Sequence, residues 1–264
     1  MAFASASFGT VHYELNGQPG GLAIVFCNSL GTDARIWDAV VAELAPDYRL
    51  VTYDKRGHGL SSVPAGPYSI EDLSADLLEL ADTLELDRFA LVGISVGGLI
   101  AQRFAIDHPE RIAGLVLCDT AAKIGDAASW SDRIAAVRTG GLEAIADAVL
   151  LRWFPVELRA GRDAEIEGWR NLLLRSPIEG YLGACAALRD ADLTEEIGNV
   201  TQPTLVLVGA EDQSTPVALV QAMADRLPAV HFAIVEAAGH LPCIDQPARV
   251  SQLVRDYLLE VGHA

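Results

Sequence analysis

Phe89-Ala90-Leu91-Val92-Gly93-Ile94-Ser95-Val96-Gly97-Gly98-Leu99-Ile100-Ala101 is the stretch that decides the architecture. Phe89–Ile94 is a continuously apolar run, as a strand buried on both faces is. Val96–Asp107 carries a helical pattern. Between them stands Gly93-x-Ser95-x-Gly97, a serine at a turn so sharp that its own backbone is strained. Gly93 and Gly97 leave room where a Cβ would meet neighbouring chain. Such a turn exposes the hydroxyl at the carboxyl edge of a sheet and at a helix N-terminus, where negative charge is favoured.

Working outward, the alternation repeats. Residues 22–27, Arg49–Tyr53, Ile112–Cys118, Thr204–Gly209 and Val230–Val235 read as strands, and residues 10–15 alternate like a half-exposed one. Residues 34–44 and 70–84 read as helices, as do segments starting at Pro216 and Pro247, where a first helical turn tolerates proline. Ser69 and Asp72 offer a capping pair to the helix over 70–84. Buried strands alternating with helices imply an α/β fold, with a mostly parallel central sheet flanked by helices.

Residues 123–190 break that rhythm. They hold no buried strand, read as several short helices, and contain three of the four tryptophans. The expected organisation is a core of residues 1–122 and 191–264 with a helical cap, or lid, inserted over 123–190. Nine of the 19 basic residues fall in this lid, and the core holds 10 basic against 26 acidic residues. A lid over a site for a small anion has this character; so does a helical insertion with ordinary solvated arginines.

With 51% hydrophobic and 21% charged residues, the chain can build a sizeable core, and bulk disorder is excluded. A formal charge of −17 argues against nucleic acid and anionic membrane as partners, since both demand basic surface. Cys27, Cys118, Cys185 and Cys243 never stand at C-x-x-C spacing and are expected as buried free thiols. No apolar run is long enough to span a membrane. The N-terminal stretch lacks the basic region of a signal peptide, so the expectation is a cytoplasmic protein.

A serine hydroxyl is a weak nucleophile at neutral pH and needs an adjacent base. His240, in Ala238-Gly239-His240-Leu241-Pro242 after the last strand, is the best placed. His12, His58, His108, His231 and His263 suit structural or surface positions. The base needs an acid to hold its tautomer. Asp212, just past the strand Thr204–Gly209, fits that role, with its neighbour Glu211 as the alternative. An oxyanion needs two preorganised N–H donors. The backbone of Val96 offers one, and Leu30, in the loop after residues 22–27, is placed to offer the other. In that loop Asn28 and Ser29 fit turn chemistry and site shaping equally well.

Three strings together carry a narrower resemblance: Phe26-Cys27-Asn28-Ser29-Leu30-Gly31-Thr32, Tyr53-Asp54-Lys55-Arg56-Gly57-His58-Gly59-Leu60-Ser61, and Gly93-Ile94-Ser95-Val96-Gly97-Gly98-Leu99-Ile100-Ala101-Gln102. They resemble the 3-oxoadipate enol-lactonases, α/β-hydrolases of aromatic catabolism, and the likeness runs through the lid around Trp130-Ser131-Asp132-Arg133-Ile134. The order Ser95, Asp212, His240 is the order of that fold. Where many α/β-hydrolases have a His-Gly pair in the first loop, this chain has Asn-Ser-Leu-Gly. For Cys243, three residues after His240, the resemblance carries no expectation.

The resemblance implies an α/β-hydrolase fold and a serine hydrolase that opens a five-membered enol-lactone bearing an acetate arm. It calls for no metal and no organic cofactor. The partner it implies is a small anionic lactone. At a net charge of −17, long-range steering does not favour an anion, so selectivity must be local. Arg133 is the first choice for the carboxylate, with Trp130 one turn away as an apolar wall, and Lys123 is the second. An arginine one turn from a tryptophan is also a common surface stacking pair. The competing readings are another small-ester hydrolase or a peracid-forming esterase of the same fold, and a receptor-like protein that keeps the triad. Epoxide hydrolases and haloalkane dehalogenases of this fold have aspartate where this chain has Ser95.

Overall fold

The computed structural model describes residues 1–262; His263 lies outside the described residues. The strands are β1 (Ala2–Ala6), β2 (Gly9–Gly17), β3 (Ala23–Cys27), β4 (Arg49–Tyr53), β5 (Phe89–Ile94), β6 (Ile112–Cys118), β7 (Thr204–Gly209) and β8 (Val230–Val235). They form one sheet in the order β1-β2-β4-β3-β5-β6-β7-β8. β1 and β4 pair antiparallel with β2, and every later pair is parallel. β3, β5, β6 and β7 are buried at every position, which is why their sequences run unbroken in apolar residues. β8 closes one edge and is only partly buried. β1, Ala-Phe-Ala-Ser-Ala, goes beyond the sequence expectation. Its composition carries little strand propensity, and its hairpin with β2 supplies the ladder that holds it.

The helices of the core are α1 (Asp38–Leu44), α2 (Ile70–Thr83) and α3 (Val96–Asp107). The stretch 34–44, expected as one helix, opens as a 3-10 turn over Ala34–Trp37 before α1. Ser69 and Asp72 cap α2 reciprocally, through Asp72 N–H to Ser69 Oγ at 3.0 Å and Ser69 N–H to Asp72 Oδ2 at 2.9 Å. Between β6 and β7 come α4 (Ala127–Gly140), α5 (Glu143–Trp153), α6 (Val156–Arg159), α7 (Asp163–Leu174) and α8 (Ile178–Asp190), with no strand among them. After β7 follow α9 (Val217–Ala224), the short α10 (Pro242–Asp245) and α11 (Pro247–Glu260). Pro216 stands at the N-cap of α9, one position earlier than a first-turn proline, whereas Pro247 opens α11.

The strand order places the site. The chain passes from β3 to β4 on one side, then returns to lay β5 on the other side of β3. At such a reversal the loops leaving the carboxyl ends of the two strands diverge and open a crevice. Here those loops are residues 28–33 after β3 and the turn at Ser95 after β5. All four cysteines are buried and free. Among the described residues, no helix is long and apolar enough to cross a membrane.

Candidate active site

Ser95 joins β5 to α3 with φ 58° and ψ −121°, a left-handed conformation that costs a non-glycine residue about 1–3 kcal/mol. The surroundings hold it there. Ser95 N–H donates to Cys118 O at 3.0 Å, and Ser95 O accepts from Gly98 N–H at 2.9 Å and from the Thr120 hydroxyl at 2.8 Å. The motif's glycines are required by space. A Cβ on Gly93 would strike the backbone of Gly97, and one on Gly97 would strike the carbonyls of Cys27 and Asn28. β5, α3 and the β3 loop can therefore approach this closely only with glycine at both positions.

His240 follows β8, and the lid helps to place it: its backbone N–H donates to Trp153 O, at the end of α5, at 3.0 Å. A Cβ on the preceding Gly239 would lie 2.6 Å from that same carbonyl. His240 Nδ1 meets Asp212 Oδ2 at 2.8 Å, both groups buried. Asp212 also accepts from Ser214 N–H at 2.7 Å, from Thr215 N–H at 3.1 Å and from the Thr215 hydroxyl at 2.6 Å. Burial works against its charge, but the His240 imidazole and these donors prevail and hold its carboxyl well below the usual carboxylate range. Glu211, the alternative acid, is exposed. Ser95 and His240 line the same cavity, without a hydrogen bond between the hydroxyl and the imidazole; such contacts commonly close only around substrate.

A second acid, Asp119, stands at the end of β6 with φ 44°. Its Oδ1 accepts from Gly209 N–H at 2.8 Å, and its carboxyl lies within 4.8 Å of both Asp212 and His240. Burial and the Asp212 charge push its pKa well upward. Asp119, Asp212 and His240 have the residue types of a metal site. The Asp212–His240 bond, however, places a proton on Nδ1, so that nitrogen is not a free ligand.

The β3 loop presents Ser29 and Leu30 to the cavity. Asn28 faces inward, fully buried, with its amide 3.5 Å from Thr32 O, so of the two readings turn chemistry describes it and site shaping falls to Ser29. The backbone N–H groups of Leu30 and Val96 meet no acceptor among the described residues. For Val96 this follows from its place in the first turn of α3.

The cavity measures about 530 Å³, and α4, α5 and α8 supply much of its lining. Trp130 and Arg133 of α4, Arg152 and Trp153 of α5, and Tyr181 of α8 line it. The Trp130 indole N–H donates to Ile124 O at 2.6 Å, fixing the ring, and the Arg133 guanidinium carbon lies 4.9 Å from the ring centroid. Burial pushes the Tyr181 hydroxyl upward beside Arg133, and burial together with the Arg133 charge lowers the pKa of Arg152. Neither arginine forms an ion pair among the described residues. Two guanidinium groups thus share one cavity with no carboxylate of the protein to neutralise them, although Asp132 also reaches its wall. Lys123 is not among the residues lining the cavity. It pairs with Asp192 at 2.9 Å on the surface. Arg152 and Tyr181 were not legible as site residues; the one signal was the excess of positive charge in the lid.

The sequence pattern of the Alpha/beta hydrolase family matches residues 24–253. The 3-oxoadipate enol-lactonase 2 of Acinetobacter baylyi is 36% identical over 92% of this chain and 91% of its own length. A putative carbamate hydrolase, RutD, of Stutzerimonas stutzeri is 28% identical over 95% of this chain and 97% of its own length. Among solved structures, the enol-lactonase from Burkholderia xenovorans LB400 superposes with a TM-score of 0.95 at 35% identity, covering 98% of this chain and 100% of that one. A thermophilic esterase from Thermogutta terrifontis, solved with malate bound, superposes at 0.92 and 32% identity, covering 100% and 99%. By its fold, its serine turn and these relatives, the chain belongs to the alpha/beta hydrolase family, in the company of the 3-oxoadipate enol-lactonases.

Proposed function

We propose that this hydrolase opens 3-oxoadipate enol-lactone, or a lactone of the same build, to the open-chain keto acid. The observation that carries the reading is the single cavity in which a serine and a histidine face two arginines with no carboxylate partner. An enol-lactone with an acetate arm presents complementary groups, an acyl carbon for the serine and a carboxylate for the arginines. The malate in the related esterase is likewise a carboxylate.

The geometry supports the following roles. Ser95 Oγ attacks the lactone carbonyl as His240 Nε2 takes its proton, and Asp212 stabilises the imidazolium through Nδ1. The N–H groups of Leu30 and Val96 receive the oxyanion; one such donor is typically worth about 2.7–4 kcal/mol of barrier. Collapse breaks the ring C–O bond, and His240 returns its proton toward the leaving enol. That enol stays tethered to the acyl-serine, and its effective concentration favours reclosure until it tautomerises to the ketone. Water, deprotonated by His240, then releases the acid from Ser95. No step needs a metal or an organic cofactor. Arg133, backed by Arg152, holds the acetate arm, and Trp130 and Trp153 wall the ring.

Loss of enol-lactone absorbance is followed with the wild type and Ser95→Ala, beside a neutral aryl ester. Fast lactone turnover that Ser95→Ala abolishes, with much weaker ester hydrolysis, is the expected result. Preference for the ester would move the substrate to neutral esters; turnover of neither would remove the lactonase reading and favour the receptor-like one.

A further inference from the structure

Residues 54–58, directly after β4, send three buried side chains onto the loop after β3 and the 3-10 turn that follows it. Asp54 Oδ1 accepts from Ala34 N–H at 2.9 Å. His58 Nε2 accepts from Gly31 N–H at 3.1 Å, while its Nδ1 faces Arg56 O at 3.2 Å, which sets the proton on Nδ1. Lys55 Nζ donates to Ser29 O at 2.5 Å, with longer approaches to Asn28 Oδ1 at 3.4 Å and Thr32 O at 3.5 Å. Lys55 is 2% exposed and forms no ion pair among the described residues. An ammonium buried on carbonyl partners alone is expensive, and packing could be met by methionine, which has nearly the same length.

The Ser29 carbonyl and the Leu30 N–H belong to one peptide unit. That unit is planar and trans, so its C=O and N–H point in opposite directions. With the carbonyl drawn inward to Lys55, the Leu30 N–H is turned outward, on the side where Ser29 and Leu30 line the cavity with Ser95. A cation on the carbonyl oxygen also strengthens the N–H of the same amide as a donor, as linked hydrogen bonds do. We infer that Lys55 is a positioning residue of the reaction: its ammonium fixes and polarises the Ser29–Leu30 peptide so that the Leu30 N–H meets the oxyanion. The inference rests on the hydrolytic reading above, but not on the identity of the substrate.

The charged and titratable groups facing Lys55 are Asp54, Asp33, the Cys27 thiol and the His58 imidazole. Burial pushes the Lys55 pKa down to about 7, against the pull of Asp54, Asp33 and Cys27. The ammonium is therefore discharged as pH rises through that value.

The test compares the wild type with Lys55→Met and Lys55→Gln, using the neutral aryl ester and the lactone, with thermal melts to verify folding. Affinity for an alkyl boronic acid, which forms a tetrahedral adduct on Ser95, is read by calorimetry and needs no turnover. The expected result for Lys55→Met is a fall in kcat on the order of 10²-fold with KM changed less than about threefold, the size of a weakened oxyanion donor. Boronic acid affinity falls in parallel, and the alkaline decline of wild-type kcat disappears. Gln, a neutral N–H donor, recovers part of the loss. A kcat within about threefold of wild type, or a rise in KM alone, overturns the inference. If neither variant folds, the wild type decides: a kcat on the ester that stays level from pH 6.5 to pH 9 overturns it. Loss of lactone turnover with retained ester turnover sinks the lactone reading and leaves Lys55 tested on the ester.

Discussion

Replacing Arg133 with methionine separates recognition of the carboxylate from the chemistry at Ser95. Methionine keeps an unbranched apolar stem over Trp130 and removes the guanidinium that lies 4.9 Å from the ring. A charge-assisted hydrogen bond is worth about 1.5–3 kcal/mol, which corresponds to roughly 10–150-fold in kcat/KM for an anionic substrate. Arg152 shares the cavity, and its repulsion from Arg133 is relieved by the substitution, so it takes over part of the contact. The single variant is therefore expected near the lower end, about 10–30-fold, and Arg133→Met/Arg152→Met near or beyond the upper end. The stacking on Trp130, about 0.5–1 kcal/mol, is lost from stability and not from catalysis. The assay measures kcat/KM for the lactone and for the same enol-lactone ring carrying methyl in place of the acetate arm. The loss must be confined to the acid. Equal losses on both lactones would refute the reasoning, because they would mean that Arg133 shapes the cavity without reading the charge.

Two further outcomes follow from the packing around the site. Asp245 accepts from Gly239 N–H at 2.7 Å while its Oδ1 is buried without a partner, and burial raises its pKa from 3.8 to about 7. The folded state then binds more protons than the unfolded state between those values, so stability falls as pH rises through the window. Asp245→Asn keeps the acceptor and removes the charge; its urea stability relative to wild type should grow between pH 4 and pH 8, by up to about 4 kcal/mol, and a constant difference would refute the assignment. Gly97→Ala places a Cβ on the carbonyls of Cys27 and Asn28, which are backbone and cannot swing away. A loss of about 1–3 kcal/mol in denaturant melts is expected, with activity falling further because the displaced loop carries Leu30, and an alanine variant of wild-type activity would show that the β3 loop has freedom the close approach denies it.

The core strands were legible because a parallel strand buried on both faces has one composition along its whole length. Phe89–Ile94, Ile112–Cys118 and Thr204–Gly209 occur with the bounds their apolar runs predict. β1 was not legible, since its stability comes from its partner and not from its own residues. The Gly-x-Ser-x-Gly turn was legible because backbone strain restricts its residues so severely. His240 and Asp212 could be read as a candidate pair because each follows a readable strand that ends at the same sheet edge, and the structure brings their side chains to 2.8 Å.

What the sequence alone determined is thus whatever depends on local constraint: strand and helix periods, the strained serine turn, and the chain order of serine, acid and histidine. What only the tertiary structure decided is whatever depends on direction. Lys123 and Arg133 are both basic residues near the start of the lid, but one faces Asp192 and the other the cavity. Arg152 reaches the cavity from a different helix, 19 positions after Arg133. Lys55 meets the Ser29 carbonyl across 26 residues of chain, because β3 and β4 are neighbours in the sheet. Side-chain direction is set by how elements pack against each other, and no spacing along the chain encodes it.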